Sequence, residues 1–533
     1  MREEIERRRT FAIISHPDAG KTTLTEKLLL FGGALREAGA VRAQRANRHA
    51  TSDWLELEKQ RGISVSTSVL HFEHLGLRVN ILDTPGHRDF SEDTYRTLMA
   101  ADSAVMLIDA AKGVEPQTRK LFEVCRLRGI PIFTFVNKMD RHGRDPLELM
   151  SDIEEVLGID AIPINWPIGS GSDFLGVYER AEKRALLFSG GNHGTTRVEQ
   201  REISSPPDGE ALREILGPRA DELAEALELL DGAGASFDRE RVRAGQQTPM
   251  FFGSALTNYG VLPFLDYFLR EAPAPVPRSA DSGAIDPVTT PFSGFVFKIQ
   301  ANMDPDHRDR IAFLRICSGR FEKGLSAILS RTGKEIRLAR STLLMGKDRE
   351  EVEEAYAGDV VGLFDPGIFR IGDTLCSEGN RFQYADIPSF SPECFMRIEV
   401  AGVTKRKALA KGVEQLAQEG AVQLFTEDSG GSASLILGAM GALQFEVMQH
   451  RLATEYKVEL NLSALPYTLA RWPQGEFDSE PFRYNRSVRV VEDRDQHSVL
   501  LFDTAWNLDY VRNKYPDLVL SQTANDRLFE SAD

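Results

Sequence analysis

The sequence predicts an α/β domain carrying an insertion, then a small β-barrel, then an α+β domain, and three observations lead there. Through residue 270 short continuous apolar runs alternate with helical stretches. From 292 to about 388 the apolar period falls to two, and from 394 the elements read strand, helix, strand, strand, helix, strand. A chain of 533 residues, 42% of them apolar, is long enough to build three cores.

The apolar runs of the first part are FAII (11–14), VNIL (79–82), AVMLI (104–108), IFTFV (132–136) and MFFG (250–253). Strands apolar on both faces belong to a parallel sheet covered by helices. Between Asp140 and Met250 stand roughly 110 residues where one further βα unit needs only about 30. The surplus predicts an inserted subdomain over about 145–247, partly helical (DELAEALELL, 221–230) and partly loop (SGGNHGTTRVEQ, 189–200). APAPVPRSADSGAIDPVTTP (272–291) is rich in Pro, Ser and Ala and carries no periodicity, so it is predicted to be a linker.

After it GFVFKIQ, RIAFLRIC and AGDVVGLFD alternate with turn residues between them, the pattern of a small barrel. CFMRIEVA, KRKALAKGVEQLAQEG, AVQLF, ASLILGA, ALQFEVMQHRLATEY and KVELNL then give βαββαβ, the split motif of ferredoxin-like domains. The expected division is therefore 1–275, a linker over 276–291, the barrel over 292–388 and the α+β domain over 389–533.

A net charge of −16 makes the surface acidic and disfavours nonspecific attraction to nucleic acid or an anionic membrane. Cys125, Cys317, Cys376 and Cys394 form no CxxC pair, which suits a reducing compartment better than a disulfide framework or a zinc site. His71 and His74 make a lone HxxH, short of the three or four convergent ligands a zinc site needs. The start, MREEIERRRTFAII, has basic residues before an apolar run, but that run ends after four residues at Ser15, far short of a signal core or a membrane span. A soluble cytoplasmic protein is expected.

The chemistry concentrates at the ends of the predicted strands. After FAII comes SHPDAGKTT, in which Gly20, Lys21 and Thr22 supply a tight backbone, an ammonium and a hydroxyl at the head of a helix; Ser15 stands where a phosphate loop usually begins with glycine. After VNIL comes Asp83-Thr84-Pro85-Gly86-His87: a carboxylate placed to hold magnesium through water, and a Pro-Gly turn free to approach a γ-phosphate. After IFTFV comes Asn137-Lys138-Met139-Asp140, and after MFFG comes Ser254-Ala255-Leu256. Ligands of open α/β sheets sit beyond the carboxyl ends of the strands, where all four motifs fall.

Asp140 also selects the base. A carboxylate accepts from both the N1–H and the exocyclic amine of guanine, while adenine has no such donor pair. The stem of Lys138 is suited to covering the base. His87 is suited to positioning an attacking water. EKQRGISVSTSVL (58–70), preceded by Arg42, Arg45 and Arg48, has the Gly and small hydroxyl residues of a switch that orders around magnesium and a γ-phosphate.

HPDAGKTT, RGIS, DTPGH, NKMD and GSAL together resemble the translational GTPases, ribosome-bound factors in which a G domain is followed by a β-barrel. Within them the chain is most similar to the bacterial class-two peptide chain release factors, through HPDAGKTTLTEKLLLFGGA, EKQRGISVSTSV, DTPGHRDFSEDTYRTL, EGAVQLF, GALQFEVMQHRL and NKYPDLVLSQT. The resemblance implies a P-loop GTPase domain using GTP/GDP and Mg2+. Ser15, His16, Asp18, Ala19, Gly20, Lys21, Thr22 and Thr23 would then line the phosphates with Asp83, and Asn137, Lys138, Asp140, Ser254 and Ala255 would hold guanine. Thr22 and, through water, Asp83 would hold the metal, together with Ser64, which stands where many relatives carry a threonine and keeps the hydroxyl. His87 would orient the hydrolytic water once large-subunit RNA docks against the G domain.

The function so implied is a monomeric, ribosome-dependent GTPase that contacts large-subunit rRNA and ribosomal proteins, binds no membrane, and speeds dissociation of class-one release factors after peptide release. Two alternatives stay open. One is a translocating or ribosome-rescue elongation factor, although only about seventy residues follow the βαββαβ unit where such factors carry further domains. The other is a guanine-nucleotide switch acting away from the ribosome.

Overall fold

The structure, a computed structural model, describes residues 1–33, 68–85, 89, 91–189, 199–232, 236–301, 310–339, 341–345, 348–385, 387, 390–399, 406–428, 433–482, 485 and 487–523. Strand β1 (Arg8–Ser15) shows how the first sheet forms. Its alternate side chains leave on opposite faces: Phe11 and Ile13 pack with Leu24, Leu28, Phe133 and Phe268, whereas Ala12 and Ile14 pack with Leu98, Met106 and Ile108. A strand apolar on both faces has to lie inside a sheet with helices above and below.

The other strands of that sheet are β2 (Ser68–His74), β3 (Leu77–Asp83), β4 (Ser103–Asp109), β5 (Ile132–Asn137), β6 (Asp160–Pro163) and, later in the chain, β11 (Gln247–Phe252). They lie in the order β2–β3–β1–β4–β5–β11–β6, with β2 antiparallel to β3 and the other pairings parallel. Of the helices, α1 (Arg2–Glu6) leads into β1. Helix α2 (Lys21–Phe31) covers one face; α3 (Ser91–Ala100), α4 (Pro116–Leu127) and α5 (Pro146–Leu157) cover the other.

The insertion departs from the expectation of helix plus loop. Strands β7 (Asn165–Ile168), β8 (Gly176–Glu179), β9 (Arg184–Ser189) and β10 (Glu199–Ser204) form a four-stranded antiparallel sheet. Beside it stand α6 (Glu210–Leu216), α7 (Arg219–Gly232), which contains DELAEALELL, and α8 (Arg239–Arg243). Four-residue strands such as NWPI are too short to display an alternation, and the predicted loop 189–200 ends inside β10. Helix α9 (Val261–Glu271) then returns to the face of α2, with Phe268 edge-on to Phe11 and Phe133 at 4.6 and 4.9 Å. His74, half of the HxxH pair, lies on β2 with Nε2 2.6 Å from Asp266 Oδ1 on α9.

The connecting segment is not featureless. Arg278–Ala280 and Gly283–Ile285 pair as a hairpin, and Arg278 donates to Met99 O, Ala101 O and Asp102 Oδ1. The β-barrel follows, its main sheet ordered Lys334–Arg337, Ser326–Leu329, Thr374–Cys376, Ser293–Ala301, Arg310–Ser318, Val360–Phe364, Ser341–Met345, Asp348–Glu351. Its two central strands are buried on both faces. Val296, Leu314 and Ile316 fill the barrel, while Phe297, Phe313 and Cys317 join the core beneath α3.

The βαββαβ unit appears as expected, its strands ordered Asn461–Leu465, Cys394–Glu399, Ala433–Ala439, Gln423–Asp428, with α10 (Arg406–Gln418) and α11 (Ala442–Glu455) packed through Leu409, Val413, Phe445 and Met448. Beyond the expectation, four strands from the last part of the chain, Val488–Asp493, Ser498–Phe502, Leu469–Pro473 and Leu520–Ser521, extend the same sheet to eight. No helix among the described residues is long and apolar enough to cross a membrane.

The three parts meet around α3. Asp102, just after it, is held by Arg315 of the barrel at 2.5 Å, both side chains fully buried. Arg8 Nε lies 3.1 Å from Asp359, Lys298 Nζ 3.0 Å from Asp93, and Arg96 donates to Gly420 O of the C-terminal domain at 3.2 Å.

Candidate nucleotide site

β1 ends at Ser15, and the chain turns through His16–Gly20 into α2. Gly20 has φ 102, which L side chains avoid, and a Cβ on it would lie 2.4 Å from Asn137 Nδ2. Asp18 is also left-handed, at φ 68. Ser15 is buried, its Oγ without a hydrogen-bond partner among the described residues, and His16 Nε2 lies 3.4 Å from Glu115 Oε1. Thr22 and Thr23 are half-buried in the first turn of α2, whose free backbone N–H groups and positive dipole end face the loop. Lys21, buried, places Nζ 3.3 Å from Oδ1 of Asp83 at the end of β3. The next residue, Thr84, donates its hydroxyl to Ile13 O at 2.9 Å and so ties the two strand ends together.

NKMD leaves β5 in the same direction. Asn137 is a staple: Nδ2 donates to Ala19 O and Oδ1 accepts from Ala255 N, each at 2.8 Å. Lys138, at φ 71, donates from Nζ to Asp18 O at 2.6 Å. Ser254 donates its hydroxyl to Asp140 Oδ1 at 2.5 Å, which orients that carboxylate. The structure thus brings Asp18, Ala19, Gly20, Lys21, Asp83, Asn137, Lys138, Asp140, Ser254 and Ala255 to one end of the sheet. Ser64, Gly86 and His87 lie outside the described residues, as do Arg42, Arg45, Arg48 and residues 58–67 of the expected switch; Ser68, Val69 and Leu70 begin β2.

Sequence reasoning missed Asp109, the last residue of β4. Its Oδ2 accepts from Lys138 Nζ at 2.7 Å and its Oδ1 accepts from Ala111 N at 2.9 Å. Burial opposes its ionisation, yet the Lys138 ammonium, the Ala111 N–H and Lys112 outweigh it and hold the carboxyl below its ordinary pKa. The available signal was its position: an acidic residue ending a buried strand, like Asp83, but without a motif around it.

Residues 6–274 match the family model described as the elongation factor Tu GTP binding domain, 291–378 that of elongation factor G domain 2, and 384–512 that of the class II release factor RF3 C-terminal domain. A protein from Symbiobacterium thermophilum named peptide chain release factor 3 is 58% identical over 528 residues, 98% of this chain and 99% of that one. The chain belongs to the peptide chain release factor 3 family. Another member of the family, from Rippkaea orientalis, is 52% identical over 98% of this chain and 97% of its own. A crystal structure of a Thermus thermophilus protein superposes with a TM-score of 0.66 at 28% identity, covering 89% of this chain and 71% of that one. The protein is accordingly a translational GTPase of a guanine-nucleotide-binding family.

Proposed function

We propose that this protein, cytoplasmic and monomeric, binds the ribosome after peptide release, speeds dissociation of the class-one release factor, and leaves on hydrolysing GTP. The observation that carries the nucleotide chemistry is the convergence of the phosphate loop with Asp140. Asn137 and Lys138 fasten that loop to the base-reading segment, so phosphate and base are held by one rigid unit.

In this reading Ser15, His16 and Asp18 to Thr23 line the phosphates, with Lys21 neutralising the terminal ones. Asp140, oriented by Ser254, accepts from guanine; the Lys138 stem covers its face, and Ala255 closes the pocket. The donor set of Thr22 hydroxyl and Asp83 carboxylate, both oxygen ligands, fits Mg2+, with Ser64 as a further ligand. Bound there, the ion would neutralise charge developing on the phosphates. His87 orients the attacking water when large-subunit rRNA and ribosomal proteins hold the G domain. The chain divides for this task into the G domain (1–275, insertion about 145–247), the linker, the barrel (292–388) and the C-terminal domain (389–533). The γ-phosphate biases the switch, and hence the ribosomal conformation, through differential affinity for two states.

The test is exchange of a labelled class-one release factor from ribosomes that have already released their peptide. Acceleration with GTP, and little with GDP, is the expected result. Translocation of tRNA without factor exchange would favour an elongation-factor role, and neither activity together with no ribosome binding would favour a switch acting elsewhere.

A further inference from the structure

We propose that Asp109 is a positioning residue for guanine recognition, holding the Lys138 ammonium so that the lysine stem is already set across the base before nucleotide arrives. The inference rests on the base-site reading above. Lysine is a poor clamp by itself, because its four-carbon stem loses much rotamer freedom when ordered. Here that ordering is accomplished by the protein. Lys138 Nζ donates to two acceptors, Asp109 Oδ2 at 2.7 Å and Asp18 O at 2.6 Å, one from the end of β4 and one from the phosphate loop.

Asp109 is itself fastened by several hydrogen bonds. Its Oδ1 accepts from Ala111 N, its carbonyl accepts from Lys112 N at 3.0 Å and Gly113 N at 2.9 Å, and the next residue, Ala110, donates to Asn137 O at 3.0 Å. Only 5% of Asp109 is exposed, so little water competes with Lys138 for its carboxylate. A plain surface ion pair would have both ends in water and no connection to the phosphate loop; here the carboxylate end is buried and the pair closes a chain from β4 through Lys138 to Asp18. Asparagine at 109 keeps the shape but has a single oxygen, so its amide N–H must face either the Lys138 ammonium or the Ala111 N–H.

The experiment measures binding and dissociation of a fluorescent GDP on the full-length protein and its variants. D109N is expected to weaken GDP about tenfold, chiefly through faster dissociation, the effect of losing one charge-assisted hydrogen bond. The deciding background is K138M, which keeps the apolar stem and removes the charge. There Asp109 becomes a buried carboxylate without its cation, so adding D109N should leave GDP affinity unchanged or improve it. A loss of equal size in both backgrounds, or no loss in either, would overturn the proposal, because a merely structural Asp109 does not depend on the charge at 138. D140N, measured alongside, separates the two levels. Unchanged guanine preference in D140N would refute the base-site reading itself, whereas a normal D140N response with additive D109N and K138M refutes only the role of Asp109.

Discussion

Gly441→Ala tests how the residue just beyond the Asp83–His87 motif is joined to the C-terminal domain. Asp89 is buried against the start of α11, where its Oδ2 accepts from Leu443 N at 3.0 Å, an N-cap supplied from another domain. Gly441 leaves room for it. A Cβ there would lie 2.0 Å from Asp89 Cγ and 2.3 Å from both carboxylate oxygens. Its φ of −161 is one that any residue adopts, so alanine brings no backbone strain and the whole cost is the collision. Relief requires the carboxylate to move by about 1 Å or more, which breaks the bond and leaves a buried N–H unpaired, about 2 kcal/mol. That corresponds to roughly a 30-fold larger local opening constant at 1.4 kcal/mol per tenfold. Hydrogen exchange of a peptide covering 441–447, in the full-length protein, reads this directly. Asp89→Ala should produce a similar increase, and Gly441→Ala added to it should cost no more than a few tenths of a kcal/mol, because the colliding group is gone. An undiminished 30-fold effect in the Asp89→Ala background would refute the argument.

Three further outcomes are expected. Asp102→Ala leaves Arg315 and the largely buried Arg278 without their carboxylate, so it should lower stability by about 3–5 kcal/mol and split G-domain and barrel unfolding into separate calorimetric transitions; a single transition at the original temperature would contradict this. Asp140→Asn should weaken guanine nucleotide and shift preference toward xanthine nucleotide, by about 1.5–3 kcal/mol per charged hydrogen bond lost, read by competitive titration. Burial pushes the Cys125 thiol up to about 12 and raises those of Cys317 and Cys376, so at pH 8 a thiol reagent should modify partly exposed Cys394 first, with all four reacting only in denaturant. Fast modification of Cys125 in the native protein would contradict its placement.

Much of the fold was legible because its signals are local. FAII and AVMLI are apolar at every position and IFTFV at every position but Thr134, the pattern of a strand covered on both faces, and the split motif announced itself through two amphipathic helices between alternating strands. The helix 221–230 of the insertion was legible but its sheet was not, since strands of four residues such as Gly176–Glu179 carry too few side chains to establish a period. The hairpin at 278–285 hid behind a Pro- and Ser-rich composition, though its Arg278 is an interdomain anchor.

By itself the sequence determined the order of the three parts and the loops that meet at one end of the first sheet, because a glycine that can turn, a lysine at a helix start and a carboxylate after a strand act through backbone geometry close to themselves. The tertiary structure alone decided the partnerships. Nothing near Asp109 in the chain names Lys138, nothing near Asp102 names Arg315, and nothing near Asp89 calls for a glycine at 441. Those pairings join residues 29, 213 and 352 positions apart, and a buried charge finds its counterpart only after the sheets have packed and removed the water that would otherwise have solvated both.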